Sequence, residues 1–385
     1  MINFAILGAG AIARIHVESL LKLKDRCRIT AICDRDLERA RKLNDEFKLK
    51  CKIFSDMDEL FASGLADAAS ICLPPGLHCA CACKALNAGV NVIVEKPMAM
   101  SPSQCDLMIN AAKAKNLQLA VICQNRWKTG YYRLKKIIDS GILGRIFQVS
   151  VNSLWWRGNN YYDLWWRGTW KVEGGGCLMS HGVHHLDLLL WMFGMPSSVR
   201  ATLRNLAHNN SECEDLVNAE LWYANNMQIN LTVSLLNHGE EQSIIVQSEK
   251  AKLGIPFTLY CSKALENGFP SQDSDNFEKL SKIYNNLPKL PLEGHEAQLN
   301  HFINAIEGKE TLTSTGECGK AVLELAMGIY KSGVTHCEVS LPLDRTDPFY
   351  THEGLVAHMP HFHEKTRSVT NFKETKITLG RDVGN

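Results

Sequence analysis

Three groups of residues have side-chain types and spacing suited to chemistry. The first is Gly8-Ala9-Gly10-Ala11-Ile12-Ala13, between a strand-like run at Asn3–Leu7 and a helical one beginning at Ala11. Gly8 permits a tight turn, Gly10 lets a pyrophosphate approach the backbone, and Ala13 allows the helix to pack closely on the strand. The N–H groups of the first helical residues, Ala11 and Ile12 among them, then face the phosphates. Asp34 ends the second apolar run, the place where a carboxylate bonds the adenosine ribose. That carboxylate repels a ribose 2′-phosphate, so the pattern favours NAD over NADP. Arg35 follows it and can stack on adenine or offset part of the repulsion.

The second group centres on Lys96, just beyond the apolar run Asn91–Val94. If that run is a strand of an open parallel sheet, Lys96 faces the crevice where such sheets bind ligands. The third group is Trp155-Trp156-Arg157-Gly158 with Tyr161-Tyr162-Asp163-Leu164-Trp165-Trp166-Arg167-Gly168-Thr169-Trp170. It holds five of the eight tryptophans. Aromatic faces such as Trp155 and Trp166 stack on the C–H faces of pyranose rings, and an arginine such as Arg157 reaches hydroxyls through a fixed donor fork. Some of these side chains are equally suited to the core or to a subunit interface. Arg126, after the sixth apolar run, is a second candidate contact. His295, at the start of a late helix, is a weaker one.

The elements that must position these groups follow from periodicity. Strand-like runs at Asn3–Leu7, Arg28–Asp34, Cys51–Phe54, Ala68–Leu73, Asn91–Val94 and Gln118–Cys123 alternate with helical stretches at Ala11–Lys24, Leu37–Phe47, Asp58–Ala62, His78–Ala88 and Ser101–Lys115. Short, continuous apolar strands are expected where helices cover both faces of a parallel sheet. The first domain is therefore α/β, a doubly wound Rossmann domain over residues 1–124. From 125 to 385 the pattern becomes α+β with a large, mostly antiparallel sheet. Its strands are expected at Ile146–Leu154, Val199–Ala207, Val217–Tyr223, Met227–Leu235, Ser243–Ser248 and Cys337–Leu341. Its helices are expected at Tyr131–Ser140, Gly182–Phe193, Glu296–Glu307 and Gly316–Ser332. The tail from Asp344 reads as polar and irregular. This second domain carries more sheet than its helices can cover, which predicts a homo-oligomer.

With 42 basic and 41 acidic residues the formal net charge is +1, which gives no reason to expect a nucleic acid or an anionic membrane as partner. No apolar run reaches the length of a membrane span, and the first residues enter a strand directly, leaving no room for a signal peptide. A cytoplasmic location is expected. The fourteen cysteines are scattered through strands and helices, where a thiol acts as a small apolar residue. The one cluster, Cys79-Ala80-Cys81-Ala82-Cys83, is helical, with Cys81 turned away from the other two. No metal is expected there, nor at His352, His358, His361 and His363 of the tail.

Taken in order, the motifs resemble the glucose–fructose oxidoreductase/inositol dehydrogenase (Gfo/Idh/MocA) family. The resemblance rests on Gly8–Ala13, Pro74-Pro75 with His78, Glu95-Lys96-Pro97 and Asn125-Arg126. It continues through Gly174-Gly175-Gly176, Gly182-Val183-His184-His185-Leu186-Asp187 and Gly294-His295-Glu296-Ala297-Gln298. It implies that Pro74, His78, Glu95 and Lys96 border the cofactor and that Lys96 stands between the nicotinamide ribose and a substrate hydroxyl. There an ammonium donates to a developing alkoxide. It implies that His184 is the general acid/base, since imidazole titrates near neutral pH. Many relatives have an aspartate four residues before this histidine. Here Ser180 takes its place, offering a hydrogen bond without charge, so Lys96 or the neighbouring His181 takes on more of the proton chemistry.

The expected function is NAD(H)-dependent, reversible oxidation of a secondary hydroxyl of a sugar, glycoside or cyclic polyol. A glycosidase working by transient oxidation and elimination on retained NAD fits the same residues. So does a non-enzymatic regulator that senses NAD and sugar, although a sensor need not keep Lys96 and His184.

Overall fold

The computed structural model describes residues 1–372 and residue 378. Its first part alternates β1 (Ile2–Leu7), α1 (Ala11–Lys22), β2 (Cys27–Cys33), α2 (Leu37–Glu46), β3 (Lys52–Phe54), α3 (Met57–Ala62), β4 (Ala68–Ile71), α4 (Pro75–Asn87), β5 (Asn91–Val94), α5 (Pro102–Lys115) and β6 (Leu119–Val121). Local chemistry sets several of these boundaries. The Asp36 carboxylate accepts from the N–H groups of Glu38 and Arg39 to start α2. The Ser101 hydroxyl accepts from Gln104 N ahead of Pro102 to start α5, which ends at Asn116 in the left-handed region. The strands pair in parallel in the order β3-β2-β1-β4-β5-β6. The order reverses between β1 and β4, which opens a crevice at the carboxyl ends of the strands.

The second part runs through α6 (Thr129–Asp139), β7 (Ile146–Trp156), a π-helical turn at Leu178–Gly182, α7 (Val183–Phe193), β8 (Ser198–Arg204), β9 (Leu216–Trp222), β10 (Gln228–Ser234) and β11 (Leu236–Ser248). Short strands β12 (Lys252–Ile255), β13 (Thr258–Tyr260), β14 (Ser262–Ala264) and β15 (Pro270–Gln272) follow. Then come α8 (Ser274–Asn286), α9 (Gly294–Ile306), α10 (Gly316–Thr335), β16 (Val339–Ser340) and α11 (His352–His358). Eight strands form one sheet, β13-β12-β11-β7-β10-β9-β8-β16, antiparallel except where β10 lies parallel to β7. Alternation along β8 and β9 turns Val199, Ala201, Leu203, Val217, Ala219 and Leu221 inward, against Leu323, Met327 and Tyr330 of α10 and Leu186 and Leu189 of α7.

Helix α9 returns to the first sheet, where Leu299, Phe302 and Ile303 join Phe4, Ile6 and Val17 in one apolar cluster. The tail departs from the irregular coil expected of it. Residues 348–350 form a 3₁₀ turn and α11 follows, because Phe349, Tyr350, Leu355 and Met359 are buried against the body of the protein. The α8 segment was also absent from the sequence reading. Phe277, Leu280 and Tyr284 supply its inward stripe, with Leu280 and Tyr284 buried.

Candidate active site

The loop after β1 is built for close approach. Gly8 has φ +93, and a Cβ there would meet Cys72 O at 2.8 Å, so a side chain is excluded. At Gly10 such a Cβ would meet, among the described residues beyond its own chain neighbours, Arg39 Nη2 at 3.5 Å. Gly10 begins α1 without a side-chain cap, which leaves the helix N-terminus and the N–H groups around Ala11 and Ile12 open to an anion. Asp34 Oδ2 accepts from Ala9 N at 2.7 Å and Oδ1 from Asp36 N at 2.9 Å, tying the end of β2 to this loop. Arg35 is exposed beside it. These groups fit a dinucleotide, with pyrophosphate at Gly10 and ribose near Asp34. Arg39, which the sequence reading did not single out, lies over the same loop.

Pro74 sits at the mouth of the crevice as the residue preceding α4. His78, one turn into that helix, is turned away from it. The ring is buried, with Nδ1 2.8 Å from Pro97 O and Nε2 2.7 Å from Leu73 O. It clamps the Pro74 loop to the segment after β5 and presents no free atom to a ligand. Glu95 is buried as well. Its Oε2 accepts from Lys96 N at 3.1 Å, and its Oε1 lies 2.9 Å from His16 Nε2 and 3.5 Å from His295 Nε2. Those three residues form the cluster with metal-ligand spacing among the described residues. His16 is already committed to Glu95 and, through Nδ1 at 2.6 Å, to Ser70 Oγ. His295 therefore sits beneath the strand end, against His16, and not on the aromatic wall.

Lys96 projects from the end of β5, and the Lys96–Pro97 peptide is cis. Its Nζ donates to Ser180 O at 3.2 Å. Burial pulls the Lys96 ammonium below the ordinary lysine range, opposed by Glu95 and reinforced by Arg167 and Arg157. A cavity at the ends of β5 and β6, closed by α7 and α10, is lined by Lys96, Pro97, Ile122, Asn125, His184 and Asp187. His184 is held well below its usual pKa by burial and by the Lys96 charge. Lys96 and His184 thus meet at one cavity, as their positions in the sequence led one to expect.

Arg126 is placed differently. Its Nε donates to Asp187 Oδ2 at 2.8 Å, Nη2 to Asp187 Oδ1 at 2.5 Å and Nη1 to Thr313 O at 3.1 Å. The guanidinium is buried and spent on fixing α7 to the loop after β6, so it does not reach out as a substrate contact. Asp187 lies one helical turn beyond His184, and the pair thereby sets the height of that histidine.

The aromatic run forms a wall against His181, the residue after Ser180. Arg167 lies between Tyr161 and Trp166, 4.0 and 4.1 Å from their ring centres, and pairs with Glu173 at 2.9 Å. Arg157 packs over Trp155 and Tyr161 and pairs with Glu240 at 2.9 Å. His181 packs on Trp155, with ring centres 5.1 Å apart, and Ser180 Oγ is 2.8 Å from His181 Nδ1. So Ser180 supports His181 rather than His184. Three buried carboxylates behind this wall went unnoticed in the sequence. Glu173 accepts from Gly168 N, and Glu240 holds Arg157. Glu214 accepts from Gly176 N, Leu178 N and the Tyr330 hydroxyl, anchoring the glycine run that leads into the π turn. Their only sequence signal is proximity, for Glu173, to Gly174-Gly175-Gly176. The tail backs the wall: Asn210 bridges Asp163 and Arg367, and Trp170 Nε1 donates to Pro360 O.

A family model described as an oxidoreductase family with an NAD-binding Rossmann fold matches residues 2–123, and the Gfo/Idh/MocA C-terminal domain matches residues 131–254. The chain belongs to the Gfo/Idh/MocA family. Its first domain is thus an NAD-binding Rossmann domain. Among its relatives is D-glucoside 3-dehydrogenase of Escherichia coli (strain K12), 25% identical over 359 residues that cover 88% of this chain and 97% of that protein. A 2,7-anhydro-N-acetylneuraminate hydratase of Mediterraneibacter gnavus is 24% identical over 88% of this chain and 96% of its own length. In structure, the WlbA dehydrogenase from Bordetella pertussis, solved with NADH and UDP-GlcNAcA, matches with a TM-score of 0.77 and 29% identity. That match covers 89% of this chain and 98% of WlbA. No helix among the described residues is long and apolar enough to cross a membrane.

Proposed function

We propose that this Gfo/Idh/MocA oxidoreductase reversibly oxidises a secondary hydroxyl of a sugar, glycoside or cyclic polyol to a ketone, with NAD+ preferred over NADP+. The observation that carries the reading is that Lys96 and His184 line one cavity at the strand ends, beside a wall of aromatic rings and two arginines. NAD+ bound along Gly8–Ala13 supplies the hydride acceptor. The chain's own work is then to hold the sugar ring flat against Trp155 and Trp166 and to orient hydroxyls with Arg157 and Arg167. Its imidazoles and Lys96 draw the proton from the reacting oxygen. With its pKa pulled down by burial, Lys96 can shed a proton more readily than a surface lysine, and in its charged form it stabilises the alkoxide.

The relatives support this class, since one is named as a glucoside 3-dehydrogenase and a structural neighbour was solved with NADH and a nucleotide sugar. The hydratase relative favours a second reading, transient oxidation and elimination on retained NAD. A screen of free sugars, inositols and glycosides decides between them. Release of NADH in proportion to ketone supports dehydrogenation. Substrate consumption with NAD retained supports the second reading, and no turnover of any of these compounds favours a regulator.

A homo-oligomer in the cytoplasm goes with this role. The outer face of the second sheet presents Asn218, Glu220, Asn230 and Thr232, uncovered by any described element. Light scattering that finds a monomer at micromolar concentration overturns the oligomer.

A further inference from the structure

Strands β1 and β2 run parallel with Leu7 opposite Cys33, so the loops that follow them leave the sheet side by side. Each loop feeds a helix, with Gly10 ahead of α1 and Asp36 ahead of α2. Both helix N-termini, which carry partial positive charge, therefore stand at the same end of the sheet. At α1 no side chain caps that end and its first turn holds no acid. At α2 the Asp36 carboxylate accepts from Glu38 N and Arg39 N.

Arg39 is the third residue of α2, a position where a cation opposes the helix dipole. Two nearby arginines have carboxylate partners: Arg14 pairs with Glu46, and Arg41 with Glu38. The Arg39 guanidinium has no ion pair or hydrogen bond among the described residues. The acids nearest it in the chain are engaged elsewhere. Asp34 accepts from Ala9 N and Asp36 N, Asp36 caps its helix, and Glu38 holds Arg41. The side chain is nevertheless half-buried. It folds back over the glycine loop, with Nη2 3.5 Å from where a Cβ on Gly10 would stand. An arginine that opposes its own helix, lacks a carboxylate and still lies down on the loop fits an anion arriving there.

We propose that Arg39 is a binding residue for the cofactor, its guanidinium holding the diphosphate of the dinucleotide against the glycine loop. The inference rests on the dinucleotide site and not on the sugar-oxidation reading. A planar guanidinium fork matches two phosphate oxygens, which a lysine ammonium cannot do. Position decides which anionic group it serves. The adenosine ribose belongs at Asp34, where a 2′-phosphate would meet a carboxylate. The Arg39 head instead stands at Gly10, the residue whose missing side chain lets a diphosphate reach the backbone.

The test is binding to the full chain, by fluorescence for NADH and by calorimetry for ADP-ribose, which keeps the diphosphate and lacks the nicotinamide. Arg39→Gln should weaken both by about 10-fold or more, because hydrogen bonds between charged groups are the strong ones. Arg39→Lys keeps the charge and loses the fork, so it should fall between, about 3-fold or more weaker than wild type. Arg41→Gln removes an exposed cation from the same helix and should stay within about twofold. Added NaCl should weaken ADP-ribose binding less in Arg39→Gln than in the wild type, since one cation at the diphosphate is gone. Arg39 has no partner to lose, so its variants should melt with the wild type. If Arg39→Gln melts early, Arg39→Lys carries the comparison. None of these readouts uses a sugar, so they stand whether or not dehydrogenation is found. Wild-type affinity for NADH and ADP-ribose in both Arg39 variants, with or without a loss for NADPH, overturns the assignment. So does a loss that keeps the wild-type salt dependence, because it means a disturbed loop and not a missing charge.

Discussion

The Arg126–Asp187 pair offers the sharpest test of how the site is held. Both side chains are under a tenth exposed, and the guanidinium spends three donors, two on the carboxylate and one on Thr313 O. Asp187→Asn keeps the volume but removes the charge and turns an amide toward the guanidinium. A buried ion pair broken on one side costs ~3–5 kcal/mol, because the remaining charge is left uncompensated. At an unfolding entropy of ~2 cal/mol/K per residue, a chain of 385 residues melting as one unit then loses about 4–6 °C in Tm. The double variant Arg126→Met/Asp187→Leu replaces the pair with apolar volume and should recover most of that loss. Scanning calorimetry of the single and double variants gives the answer. An Asn variant that melts within a degree of wild type refutes the reasoning, as does a double variant no better than the single one.

Three further outcomes follow from particular contacts. Asp34→Ala removes the carboxylate that holds Ala9 N and repels a 2′-phosphate, so NADH affinity, measured by fluorescence, should fall ~10-fold or more while the preference over NADPH shrinks. Burial pushes Glu214 from 4.5 up to about 7. The folded chain therefore holds this proton more tightly than the unfolded one, and the stabilisation present below pH 4.5 is lost as pH rises through 7. That loss is on the order of 3 kcal/mol, and it should appear as a decline in Tm between those pH values that Glu214→Gln flattens. Asn210→Ala removes one set of ties between the tail and the Tyr162–Asp163 segment while those of Lys365 and Arg367 remain, and the loosened wall should lower kcat/KM for the sugar by ~3-fold or more with NADH affinity unchanged.

The first domain was legible nearly residue by residue because its strands are continuous apolar runs and its caps are local. Gly8, Gly10 and Ser101 announce their roles through spacing alone. Lys96 and His184 were legible through motif context, and the structure brings them to one cavity. Long-range pairing was not legible. Arg126 read as a substrate contact because its partner Asp187 is 61 positions away, and His295 read as a weaker one because its partner Glu95 lies on another element. The π turn leaves no compositional trace, so Ser180 was matched to His184 when it in fact supports His181. The tail looked polar because its buried residues, Phe349, Tyr350, Leu355 and Met359, are spaced among charged and turn-forming ones.

The central claim is that hydride leaves a ring carbon of a sugar for NAD+ in the cavity beside Lys96. The most direct measurement uses a pyranoside that the wild type turns over, deuterated at the carbon that becomes the ketone. The account predicts deuterium in the nicotinamide of the NADH released, in proportion to ketone, and a loss of ~100-fold or more in that transfer for Lys96→Ala at unchanged NAD+ affinity. Ketone without deuterated NADH, or undiminished transfer in Lys96→Ala, contradicts it.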